Sequence, residues 1–169
     1  MYPYHQHTQP AFRNALRARE TAEPSLAELA ADQRLLALLH LAMEETRERE
    51  ARFRRLAEQY PVFEPSQNIL NAMALDEQKN HKRLQEIYYT VTKRRPESVS
   101  SENTPSTLEE LDPETALEEL LLSEMDQVNF YRNFLLAVPE GQLRDLFFEI
   151  LTDKQNHVSG LTYLYSKYF

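Results

Sequence analysis

Four stretches of this chain carry apolar residues at alternating three- and four-residue spacing, and each run is interrupted near its middle by polar residues. Residues three and four apart stack on one side of an α-helix, whereas a strand would alternate every second position. The first stripe is Leu35, Leu39, Ala42, Thr46, Arg49, Phe53, Leu56 and Tyr60. The second is Leu70, Met73, Glu77, Asn80, Leu84, Ile87 and Val91. The third is Leu117, Leu121, Glu124, Val128, Tyr131, Leu135 and Val138, and the fourth Leu143, Phe147, Ile150, Lys154, His157, Leu161, Leu164 and Tyr168. Stripes of this kind bury themselves against one another, so the expected fold is all-α, an antiparallel four-helix bundle with left-handed crossing. Only 2 glycines in 169 residues agrees with that, because glycine loosens helices.

Punctuation sets the helix limits. "ETAEPS" precedes the first helix, with its Ser25 and the following Glu28 at capping-box spacing; "YPVFEPS" ends that helix, and Ser66 can cap the second. Pro96 stops the second helix, since its ring disfavours helical geometry at Arg95. The polar stretch "RRPESVSSENTPSTLEELDPE" suits a connection running the length of a bundle, with "STLEEL" as a short helical turn inside it. Asp112 and Pro113 read as N-cap and first helical residue, and "AVPEGQ" is a tight turn. The spacing therefore predicts an N-terminal arm over 1–24 and helices over about 25–59, 66–94, 112–137 and 140–168. Two helical hairpins joined by a long crossover bring the polar middles to one height. Thr46, Arg49, Glu77, Asn80, Glu124, Lys154 and His157 are expected to meet there.

The net charge of −8, with bases interleaved among acids, argues against nucleic acid, which needs a positive footprint. Absence of cysteine excludes disulfides, thiolate metal sites and iron–sulfur centres. No apolar run approaches the roughly 20 residues of a membrane span, and the opening "MYPYHQHTQP" lacks the order of a secretion signal. The chain reads as soluble and cytoplasmic, with that opening a loosely ordered arm rather than a metal-binding or docking tail.

"SEMDQVNFY" resembles the Glu-x6-Tyr signature of ferritin-like proteins of the rubrerythrin type, with Glu124 and Tyr131 in the signature positions. "LDEQKN" and "TDKQNH" resemble that family's Asp-Glu-x-x-His motif, and "EIYYTVTKRRP" resembles the end of its second helix. The resemblance covers about residues 30 to 168. It implies a ferritin-like bundle with a di-iron centre held by four Glu and two His, and pairing of bundles through outer helix faces to give a homodimer. Here Glu77, Glu124 and His157 match the ligand positions, but Lys154 stands at a Glu position, Asn80 at a His position and Thr46 at a Glu position. Glu45 and Glu48 lie close enough that a small change of register on the first helix would restore a carboxylate. His81, four residues after Glu77, is a second route to a ligand.

The charges favour a different occupant of the site. Glu77 and Glu124 against Arg49 and Lys154 are balanced without metal, and an ammonium between the carboxylates repels a divalent ion. The expectation is a metal position replaced by a buried Glu/Lys/Arg ion-pair network, no cofactor, and a non-catalytic structural or interaction role. The alternative is an iron- or manganese-binding oxidoreductase, a peroxidase or ferroxidase, using Glu77, Glu124 and His157 with His81 or Glu45. Lacking cysteines, such an enzyme would need a separate electron-donor protein.

Overall fold

The computed structural model describes residues 24–96 and 111–169. These form helices α1 (Leu26–Ala31), α2 (Gln33–Gln59), α3 (Gln67–Thr92), α4 (Pro113–Ala137) and α5 (Gln142–Tyr168), with a 3-10 turn over Pro61–Ser66. The arm over 1–23 and the crossover over 97–110, including nearly all of "STLEEL", lie outside the described residues. Among the described residues no helix is long and apolar enough to cross a membrane.

The expected first helix is two helices. Ser25 and Glu28 close a capping box on α1, but Asp32 leaves helical geometry (φ −80°, ψ 93°). Its carboxylate accepts from the N–H groups of Arg34 and Leu35 and starts α2 afresh. A short side chain that can satisfy two orphan donors makes the break cheap at this position. Ser66 occupies the cap position of α3 without bonding its first turn. Its hydroxyl instead meets the Tyr168 hydroxyl at 2.8 Å and the Lys167 ammonium at 2.9 Å. The end of α3 comes at Lys93, which adopts left-handed geometry (φ 57°), ahead of Pro96. Asp112 caps α4 by accepting from Thr115, with Pro113 in the first turn.

Two apolar clusters lie at opposite ends of the bundle. One gathers the start of α2, the end of α3, the end of α4 and the start of α5, around Leu39, Ile87, Phe134 and Phe147. The other gathers the remaining ends, around Phe53, Leu70, Leu117 and Leu161. It follows that α2 and α3 are antiparallel, α4 and α5 are antiparallel, and α3 runs parallel to α4. The end of α3 and the start of α4 therefore lie at opposite ends of the bundle, about 37 Å apart for a helix as long as α4. Between the clusters sits a waist where the buried residues are polar: Thr46, Arg49, Glu77, Asn80, Glu124, Gln127, Lys154 and His157.

The third stripe needs one correction. Leu120, Gln127 and Phe134 are buried on α4, while Leu121, Val128 and Leu135 are only partly so. Both sets alternate three and four through Leu117, Glu124, Tyr131 and Val138, and leucine or phenylalanine occurs in each. The decision between them falls to Gln127 and Val128, where polarity points the wrong way.

Candidate functional site

Each of the four long helices sends side chains into the waist from adjacent turns of its buried face. Lys154 is fully buried, and its Nζ donates to Glu77 Oε1 at 2.5 Å. The same ammonium lies 3.4 Å from Glu124 Oε2. His157, one turn further on, holds its Nδ1 3.1 Å from Glu124 Oε2 and 3.2 Å from Glu77 Oε1. With a carboxylate oxygen on either side, Nδ1 carries the proton and donates. From α2, Arg49 places Nε 3.0 Å from Glu124 Oε1. Its Nη2 donates to Ser123 Oγ at 3.1 Å and its Nη1 reaches Glu45 Oε2 at 3.4 Å. Gln127 donates to the same Glu45 oxygen at 3.0 Å.

The charges hold one another in fixed states. Burial pushes the Glu124 carboxyl up, but Lys154, the hydrogen bond from His157, and Arg49 outweigh it and bring it down to about 2. Burial pushes the His157 ring down, but Asp76, Glu124 and Glu77 around it raise it to about 10. Asp76 faces the opposite ring nitrogen, with Oδ2 3.7 Å from Nε2, beyond hydrogen-bond reach but close enough to attract. That contact, together with Lys79 and against burial, brings Asp76 to about 2. His157 is therefore a third cation in the core. The half-exposed Asp76 and Glu45 supply negative charge at the two margins of the waist.

Other residues singled out from the sequence lie apart from this centre. Thr46 faces the core, which fixes the register of α2: Glu45 lies at the margin and Glu48 is exposed. The Thr46 hydroxyl donates to the Met43 carbonyl at 2.9 Å. His81 turns Nδ1 to that carbonyl at 3.0 Å and to Thr46 Oγ1 at 3.2 Å. Burial and then Arg47 lower its pKa, so the ring is neutral at neutral pH. His81 and Glu45 are not among the three residues, Glu77, Glu124 and His157, whose ligand atoms lie within 4.8 Å of one another. Asn80 accepts from Arg83 at 2.7 Å, and Arg83 also binds Asp153 and Glu149 at 2.8 Å each. Tyr131 is fully buried beside the waist, and its hydroxyl has no hydrogen-bond partner among the described residues.

Sequence reasoning passed over Asp76, Arg83, Gln127 and Asp153. The usable signal was adjacency: Asp76 and Asp153 each immediately precede a polar seam residue, Glu77 and Lys154. One helical step turns such a residue about 100° from the seam, onto the flank where neighbouring helices meet.

Two properties limit the chemistry. A general acid or base works best with a pKa near the operating pH, and Glu124 and His157 are driven far from neutrality in opposite directions. Ligand atoms of Glu77, Glu124 and His157 lie within 4.8 Å of one another, so these three could hold one ion. They do not fit a carboxylate-bridged metal pair. Such a pair takes a Glu from each of two helices and Glu-x-x-His from each of the other two. Here an ammonium lies against the carboxylates, and the histidine nitrogen facing them is a donor. Comparison with protein-family models, curated proteins and solved structures returned no match in any of the three.

Proposed function

We propose that this chain is a ferritin-like bundle of the rubrerythrin type in which Lys154 serves as the counter-ion at the metal position, and that its role is structural or interactive rather than catalytic. The supporting observation is the placement of the Lys154 ammonium, completely buried, against both Glu77 and Glu124. Glu77 and Glu124, on separate parallel helices, are the carboxylates the resemblance assigns to metal. Opposite charges about 4 Å apart at an effective dielectric near 20 attract by about 4 kcal/mol, enough to hold the ammonium between the two carboxylates. A network of this kind specifies register more than it adds stability.

Metal content decides the matter. Protein purified without added metal, then loaded with iron anaerobically, should hold no stoichiometric ion by elemental analysis. One or two bound ions per chain would overturn the proposal. The triple variant Lys154→Glu, Asn80→His, Thr46→Glu should gain binding that the parent lacks.

The proximity of Glu77, Glu124 and His157 favours a second reading, an iron- or manganese-dependent oxidoreductase with one ion in this three-residue set. It requires Lys154 to swing away. On that reading Lys154→Met raises metal affinity and leaves the fold stable, whereas the counter-ion reading has the same change destabilise the bundle.

A further inference from the structure

Immediately beside the ion pairs lies a layer of polar atoms that the network leaves unserved. Asn80 follows Glu77 by three residues and Gln127 follows Glu124 by three, on helices that run parallel. Both therefore lie on the side of the ion pairs that faces the Phe134 and Phe147 end. Tyr131 is one turn further along α4. Side chains on a helix lean back toward its N-terminus, which brings the Tyr131 hydroxyl toward the same layer. Burial raises the pKa of that hydroxyl, and among the charged groups around it Glu77 raises it most. Leu84, Ala42 and Ile150, all fully buried, come next in that direction on α3, α2 and α5.

Four atoms of this layer have no hydrogen-bond partner among the described residues: Glu77 Oε2, Asn80 Nδ2, Gln127 Oε1 and the Tyr131 hydroxyl. All four residues are buried, Gln127 the most exposed of them at 6%. Which end of each group is free follows from what holds its other end. Lys154 and His157 both approach Glu77 at Oε1, which leaves Oε2. Arg83 can only donate and binds the Asn80 oxygen, so the amide nitrogen is the free end. The Glu45 carboxylate accepts from the Gln127 nitrogen, so the amide oxygen is free. The layer thus offers two acceptors and one two-hydrogen donor, with a hydroxyl able to act as either. A cation would face the Asn80 hydrogens beside three buried cations, and an anion would face the Glu77 and Gln127 oxygens. A small neutral molecule with two hydrogens and free lone pairs meets no such conflict.

We propose that this layer binds one internal water molecule, which donates to Glu77 Oε2 and Gln127 Oε1 and accepts from Asn80 Nδ2. About three bonds are typical of a buried water, so the Tyr131 hydroxyl is a fourth neighbour that it can do without. The water joins α3 to α4, which otherwise meet through Lys154 and His157 of α5. Its place rests on Lys154 holding Glu77 by one oxygen, as in the counter-ion reading.

A high-resolution crystal structure of the full chain should show a water oxygen about 2.6–3.2 Å from all three atoms. In solution, oxygen-17 relaxation dispersion should count a water held for longer than the protein takes to tumble. That count should fall by one in Asn80→Leu and in Gln127→Met, and stay the same in Tyr131→Phe. The urea midpoint shift of Asn80→Leu combined with Gln127→Met should be smaller than the sum of the single shifts, because the first change already releases the water. A dry layer with Lys154 still against Glu77 overturns the internal water and spares the counter-ion reading. So do additive shifts with an unchanged water count. An ion bound between Glu77 and Glu124 in the crystal overturns the counter-ion reading and the water with it.

Discussion

The waist of the bundle and its two ends are equally buried and are built on the same four seams, yet they hold together by different physics. The ends are shape: Phe134 stacks on Phe147 with centroids 4.8 Å apart, and the terminal methyl of Met73 fills the space beside Gly160 that a side chain there would take, so a larger residue would push that methyl aside. Any apolar group of similar volume serves there. The waist is charge and direction, where Lys154, His157 and Arg49 must each find a carboxylate oxygen on another helix. A slip of one residue would leave the ends merely loose but would leave the waist with unpaired ions. The apolar ends supply the driving force, and the waist selects the alignment.

The contrast can be broken most directly at Lys154. Lys154→Met leaves Glu77 and Glu124 short of a counter-ion and should cost about 3–5 kcal/mol in urea unfolding at neutral pH. Lowering the pH should shrink that cost, because protonated carboxyls no longer need the ammonium. Adding Glu77→Gln to Lys154→Met should recover part of the loss. Leu39→Ala at an end should cost about 3 kcal/mol, a cavity term, and the cost should be the same across that pH range. If both losses respond to pH alike, the distinction between waist and ends fails.

Titration of the parent protein sharpens the same point. Glu124 has a lower pKa folded, about 2, than its ordinary 4.5. Its stabilisation is complete above that ordinary value and is lost as pH falls from about 4.5 through about 2, on the order of 3 kcal/mol. His157 is raised to about 10 from 6.5. Its contribution is complete below pH 6.5 and fades as pH rises toward about 10, and His157→Gln should remove the alkaline slope while keeping the acid one. The smallest expected effect is Tyr131→Phe. Deleting a buried hydroxyl without a protein partner should be neutral or stabilise by up to about 1 kcal/mol. A loss of that size would mean the hydroxyl has a bond that matters.

Much of the helical bundle could be read from spacing alone. Thr46 and Arg49 on α2, Glu77 and Asn80 on α3, and Lys154 and His157 on α5 are all buried positions of seams apolar on either side. Periodicity reports direction from the helix axis, and direction is what places a residue in the core. It does not report which atoms meet. That His81 bonds the Met43 carbonyl, or that Arg83 gathers Asn80, Glu149 and Asp153, depends on how helices rotate against neighbours far away in sequence. The break at Asp32 was hidden for another reason: apolar residues continue on both sides of it, and only its carboxylate turning back to cap α2 marks the boundary.

A charge carried on the chain has a consequence for mass action. A bundle whose centre is closed by a bound ion gains stability in proportion to the logarithm of the free ion, and a chelator can take it away. Lys154 is tethered at a fixed distance from its carboxylates and has no dissociation step. On the proposed reading the folding equilibrium of this centre is indifferent to scarcity or excess of metal, and a chelator leaves the bundle unchanged.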